Sequence, residues 1–119
     1  MIENISVTIT EHEELPLIII KGEIDIYTCG KLRDALAQTL ETTSSNFVLD
    51  LNELQYIDST GLGTIAHSAR ALEEKNGFIH VICKKPQIKK IFEVSGLTKK
   101  NIKLYENITE LKILKEKNV

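Results

Sequence analysis

Asp58, Ser59 and Thr60 set one carboxylate and two hydroxyls side by side, and Gly61-Leu62-Gly63 follows directly. Leu62, Ile65, Ala66, Ala69 and Leu72 then recur at the spacing of one helix face. The hydroxyls therefore stand at a helix N-terminus, where the first backbone N–H groups lack intrahelical partners. In the plainest reading Asp58 and Ser59 cap the helix by accepting from those groups. Capping alone does not require two successive hydroxyls before Gly-Leu-Gly. Each glycine costs a helix about 1 kcal/mol relative to alanine, which points to close backbone approach by a partner or a neighbouring strand. A nucleotide site is a further reading, since Gly61-Leu62-Gly63-Thr64-Ile65-Ala66 fits G-x-G-x-x-G/A at a helix start. Its context is wrong. The apolar run Phe47-Val48-Leu49-Asp50-Leu51 ends well before the glycines, and no acidic residue stands near Val81 to Lys85 to hold a ribose. No Gly-Lys-Ser/Thr is present for a P-loop.

Length predicts one domain over residues 1–119. With 15 basic and 17 acidic residues and a formal charge of -2, neither sign dominates. There is no electrostatic case for nucleic acid or an anionic membrane. The longest apolar run, Leu15 to Ile20, contains Pro16 and is too short to span a bilayer. Met1-Ile2-Glu3-Asn4 lacks the basic and apolar regions of a signal peptide, so a cytoplasmic location is expected. Cys29 and Cys83 show no C-x-x-C spacing; reduced, buried thiols are the simpler expectation, with a disulfide left open. His12, His67 and His80 lack metal-ligand spacing, and neither a metal nor another cofactor is expected.

The elements that must position Ser59 follow from periodicity. Ile5, Val7 and Ile9 alternate with Ser6, Thr8 and Thr10, and Leu15 to Lys21 is more continuously apolar. The two predict an antiparallel hairpin across a Glu11–Glu14 turn, with the first strand at an edge. Gly22 to Thr28 reads as a loop with Thr28 as cap for a helix whose stripe is Leu32, Ala35, Leu36 and Leu40. Phe47 to Leu51 reads as a strand covered on both faces, and Asn52 to Asp58 as a loop. The Ser59 helix is expected to run to about Lys75 and stop at Asn76-Gly77. Phe78 to Cys83 is the next strand, and Pro86 opens a helix with Ile88, Ile91 and Phe92 inward and Gly96 past its end. Ile102 to Tyr105 forms a last strand; Ile108, Leu111 and Leu114 mark a last helix. This order predicts an α/β domain: a mostly parallel sheet of about five strands, an antiparallel N-terminal strand and about four helices. Partners of such sheets gather at the carboxyl ends of the strands, which groups Asp25, Asp58, Ser59 and Thr60 on one surface.

Taken together, these segments resemble the bacterial anti-anti-sigma factors, single-domain members of the sulfate transporter and anti-sigma antagonist (STAS) group. Gly22-Glu23-Ile24-Asp25 is similar to that family's loop before its first helix. Val48-Leu49-Asp50-Leu51 followed by Tyr56-Ile57-Asp58-Ser59-Thr60-Gly61-Leu62-Gly63 is similar to its core signature, and Lys85-Pro86 through Phe92 with Ser95-Gly96-Leu97 to its third-helix segment. The resemblance implies a non-enzymatic, cytoplasmic antagonist, monomeric or weakly dimeric. Its unmodified form binds an anti-sigma factor that is also a serine kinase, and so frees the sigma factor. It implies Ser59 as the phosphorylation site, a surface of Asp25, Asp58, Ser59, Thr60, Gly61 and Leu62 for the partner, and a metal-dependent serine phosphatase as the resetting enzyme. Lys112 to Lys117 lies outside the signature. A scaffold subunit of a stress-signalling assembly, or a soluble partner of a transporter, is also built on this domain, and a nucleotide-using enzyme stands third.

Overall fold

The alternating residues of the first segment form β1 (Ile5–His12), which pairs antiparallel with β2 (Leu15–Ile24). The turn between them is only Glu13 and Glu14, both with positive φ, as the twist of a two-residue hairpin demands. α1 (Cys29–Thr42), β3 (Asn46–Ile57), α2 (Ser59–Glu73), β4 (Phe78–Ile82), α3 (Pro86–Ser95) and β5 (Ile102–Tyr105) follow. Single 3-10 turns lie at Leu97–Lys99 and Ile108–Glu110. The computed structural model describes residues 4–43 and 45–111. Within them are three α-helices; of the expected last helix, Ile108–Glu110 is a 3-10 turn, and Leu114 and the lysine-rich end lie outside the described residues.

The five strands form one sheet in sequence order, with β1 at one edge, and β2 to β5 are parallel. Right-handed crossovers between consecutive parallel strands place every helix on the same face. Accordingly Leu32 of α1, Ile65 of α2 and Phe92 of α3 share one buried cluster with Ile18, Ile20, Leu49 and Val81 of the sheet. The opposite face buries Leu17, Val48 and Ile82 under Ile108 and Leu111. Strand β3 is therefore covered on both faces, as its apolar run predicts.

Two expected boundaries move. β3 does not stop at Leu51 but continues through the expected loop to Ile57, with Leu51, Leu54 and Ile57 buried. The register explains why this half did not read as strand. Between Ile19↔Asp50 and Lys21↔Glu53, and again between Gly22↔Leu54 and Glu23↔Tyr56, β3 inserts an extra residue. Each bulge turns the inward spacing from two residues into three. β2 likewise runs past Lys21 to Ile24, through Gly22 at φ 103, where a side chain would strike the Asn4 carbonyl. On α2 the fully buried line is Gly61, Ile65, Ser68, Ala69 and Leu72, with Leu62 and Ala66 at its half-buried margin. The helix ends where Asn76 turns left-handed and the Gly77 N–H donates to the Leu72 carbonyl at 2.9 Å. Pro86 opens α3 and Gly96, at φ 82, closes it.

Both cysteines are unpaired and buried. Burial pushes the Cys83 thiol above its ordinary pKa, and burial, then Glu110, raises the Tyr105 phenol. Above the ordinary thiol value the unfolded chain loses a proton that the folded one keeps. Stability is then full at neutral pH and falls as pH rises through about 8.5 and onward to about 10. The urea midpoint is expected to hold level to about pH 8 and decline above it, with Cys83→Ala flattening the first part of the decline. A midpoint that rises between pH 8 and 10 would contradict this assignment.

Candidate functional site

The last pair of the β2–β3 ladder is Ile24 opposite Ile57, and the Asp58 N–H donates to the Ile24 carbonyl at 3.1 Å. Asp25 and Asp58 therefore leave adjacent strand ends together, and the four residues expected on one surface, Asp25, Asp58, Ser59 and Thr60, do lie at this carboxyl edge. Asp58 is the N-cap of α2: its backbone is extended and its carboxylate accepts from the Gly61 N–H at 3.1 Å. Ser59 is the first helical residue and exposed, and its hydroxyl makes no hydrogen bond to a described residue. Of the two candidate caps, the carboxylate does the capping and the hydroxyl stays available. Thr60 is half-buried, and its carbonyl accepts from the Thr64 hydroxyl at 2.9 Å.

The two glycines separate in role. A Cβ on Gly61 would overlap Ile24 Cγ2 and stand 3.0 Å from Ile57 Cγ1, so this glycine lets α2 begin flush against both strand ends. A Cβ on Gly63 would meet nothing within 4 Å. No strand or helix neighbour accounts for the second glycine. Because β3 runs into α2 through one capping residue, the strand-to-helix context of the dinucleotide pattern is met after all. Two features still oppose a nucleotide: Gly61 is spent on strand packing, and Cys83, Lys84 and Lys85 follow β4 where an acid would hold the ribose.

Asp25 holds its own loop. Its Oδ1 accepts from the Tyr27 and Thr28 N–H groups at 2.9 and 3.0 Å. The Thr28 hydroxyl does not cap α1 as expected. It accepts from the Asp25 N–H at 2.9 Å and donates to the Glu23 carbonyl at 2.8 Å, pulling the loop back onto β2. This turn forces its two middle residues outward: Ile26 is 66% and Tyr27 82% exposed. Tyr56, two residues before Asp58, is 49% exposed. These three side chains stand within two residues of Asp25 or Asp58 in the chain and were missed at the level of periodicity, which counts apolar residues as core. The available signal was that two of the chain's three tyrosines sit in stretches otherwise polar enough to be loops.

His12, His67 and His80 fall on β1, α2 and β4, and among the described residues no group of three or more His, Cys, Asp or Glu could hold a metal ion. No described helix is long and apolar enough to cross a membrane.

The division between cap and hydroxyl has a measurable consequence. Asp58→Ala is expected to cost about 0.5 to 2 kcal/mol in urea unfolding, whereas Ser59→Ala stays within about 0.5 kcal/mol, as at other surface sites. A second pair of variants tests the glycines. Gly61→Ala should lose about 1 to 3 kcal/mol from overpacking against Ile24, and Gly63→Ala should gain up to about 1 kcal/mol of helix propensity. Equal effects at the two glycines would refute their separate roles.

Known proteins share this architecture. The STAS domain family matches residues 6–111. The anti-sigma-B factor antagonist of Staphylococcus aureus is 26% identical over 94 residues, covering 79% of this chain and 87% of that protein. An anti-sigma factor antagonist from Mycobacterium paratuberculosis superposes with a TM-score of 0.80 at 24% identity, over 89% of each chain. SpoIIAA superposes in its unphosphorylated form (TM-score 0.72, 17% identity, 96% of this chain and 100% of that one). The phosphorylated form of the Bacillus protein gives 0.70 at 19% identity, over 92% and 99%. With the sheet order, the bulged β3 and the capped Ser59 helix already in place, the match over nearly the whole described chain leaves one assignment: the chain belongs to the STAS domain family.

Proposed function

We propose that this chain is an anti-sigma factor antagonist that works as a phosphorylation-switched binding module and catalyses nothing itself. In this reading the unmodified protein docks on an anti-sigma factor with serine kinase activity through Asp25, Asp58, Ser59, Thr60, Gly61 and Leu62. The kinase then transfers phosphate to Ser59, the complex dissociates, and a metal-dependent serine phosphatase restores the binding form. The observation that carries the reading is the exposed, unbonded Ser59 hydroxyl at the first turn of α2, with capping left to Asp58. The names of the relatives, and a SpoIIAA solved with and without phosphate, support it.

The physics of the switch follows from the position. A phosphate at a helix N-terminus meets the positive end of the dipole and unsatisfied N–H groups, so modification leaves the fold standing. The partner meets a different problem. Ile26, Tyr27 and Tyr56 offer it an apolar rim, and burying that rim would carry about 1.5 to 2 added negative charges into the interface. Desolvating them opposes binding without unfolding anything. Asp25 acts mainly through the loop it holds, and asparagine keeps the oxygen that accepts from Tyr27 and Thr28. Asp25→Asn therefore tests its charge rather than its turn.

Four forms compared by calorimetry with the cognate anti-sigma kinase test the switch. Unmodified protein and Ser59→Ala are expected to bind equally, Ser59→Asp more weakly, and the form phosphorylated on Ser59 weakest, because an aspartate brings one charge and no phosphate oxygens. Tight binding by the phosphorylated protein would refute the proposal. So would phosphopeptide mapping that puts the label on Thr60, the adjacent half-buried hydroxyl.

A further inference from the structure

The parallel pairing of β2 with β3 starts α1 and α2 from the same edge of the sheet, and the two helices run side by side. Their facing rows do not close. An open groove of about 530 Å³ lies between them, and its lining includes Arg33 and Ala37 of α1 and Ser59, Gly63 and His67 of α2. Arg33 is the lining residue nearest the start of α1, and Ser59 holds that place on α2, so the two stand at the same end of the groove. Gly63, one turn past Ser59, puts no side chain between them and the rest of the space.

Arg33 is exposed, and the role argued here requires that. Its hydrogen bond among the described residues joins one guanidinium nitrogen to the Cys29 sulfur at 3.6 Å, and a thiol is a weak acceptor. Exchanging that contact for an oxyanion costs little, because the head group already stands in water. A phosphate on Ser59 brings three strong acceptor oxygens and about 1.5 to 2 negative charges. The helix start does not neutralise it alone: the Asp58 carboxylate already takes the Gly61 N–H, and Asp58 and Asp25 repel an anion at this edge. A guanidinium pairs with a phosphate through two parallel N–H bonds.

We propose that Arg33 clamps the phosphate on Ser59, drawing it along the flank of α2 into the groove. The inference rests on the reading of Ser59 as the phosphate acceptor, and it names the residue that holds the modified state. A phosphate tied to α1 is withdrawn from the solvent side that a phosphatase must reach. The clamp therefore prolongs the phosphorylated form and does nothing in the unmodified one.

Phosphoserine installed at position 59 during synthesis of the whole chain removes the need for a kinase, and phosphorus NMR then follows its second ionisation, ordinarily at about pH 6. A nearby cation favours the dianion and lowers that midpoint, so Arg33→Gln is expected to raise it by about 0.5 to 1 pH unit. Arg33→Lys should restore most of the difference, since the charge survives without the fork. Arg70→Gln removes the same charge from the last turn of α2 and should leave the midpoint unchanged. Asp25, Asp58 and His67 are common to all these proteins and cancel in the comparison. A general serine phosphatase should release phosphate from the Arg33→Gln protein faster by the corresponding factor, about three to ten. Equal midpoints with and without Arg33, equal shifts from Arg33→Gln and Arg70→Gln, or release at the parent's rate would each overturn the clamp. Tight kinase binding by the phosphorylated protein would count against the switch and leave this titration standing.

Discussion

Everything at the carboxyl edge depends on the parallel pairing of β2 with β3 being carried as far as Ile24 and Ile57. Those two side chains form the shelf on which α2 begins, and only glycine at position 61 allows the helix to sit on it. The Asp58 N–H bonds to the Ile24 carbonyl, and the Asp58 carboxylate to the Gly61 N–H. Strand end, cap and first turn are thus linked through three residues. Both bulges in β3 serve this geometry, because they let twelve residues of β3 follow a shorter stretch of β2 and still arrive level with it.

A helix start offers an anion-friendly end, and the chain uses that end without consuming the serine. Had Ser59 been the cap, its oxygen would be engaged with a backbone N–H and its removal would weaken the helix. With the carboxylate one residue earlier as cap, the hydroxyl can be chemically modified at little cost to the fold. The Asp25 loop follows the same logic in reverse. Its carboxylate and the Thr28 hydroxyl are taken up internally, which holds Ile26 and Tyr27 out in solvent on a loop with little freedom. A preformed apolar rim loses less entropy on binding than one that must be ordered by its partner.

The two faces of α2 do different work. The face toward the sheet is packed tightly enough that a single methyl at Gly61 would be felt, and Ala69 is buried in the core cluster shared with the strands. The face toward α1 is loose, with Gly63 and Ala37 leaving a groove beside Ser59. Asn101 secures the far end, its amide donating to the carbonyls of Ala69 and Gly77, so α2 is anchored at both ends while its flank stays open.

The sequence by itself determined the number and order of the strands, the parallel sheet with one antiparallel edge, the start of α2 at Ser59 and the close of α3 at Gly96. Each rests on local chemistry: alternation of apolar residues, a capping carboxylate, a residue tolerant of positive φ. The matching signature around Asp58-Ser59-Thr60-Gly61 was legible for the same reason, being contiguous. Only the tertiary structure decided that Asn52 to Ile57 is strand, because bulges replace the period of two by a period of three and erase the signal. It also decided which oxygen caps α2, since Asp58 and Ser59 are both competent acceptors and the backbone angle at the cap selects between them. The separate roles of Gly61 and Gly63, the outward aromatics of the edge and the gap beside Arg33 depend on which side chains face which neighbour across the helix pair and the sheet. Distances between residues far apart in the chain set those facings, and no local pattern encodes them.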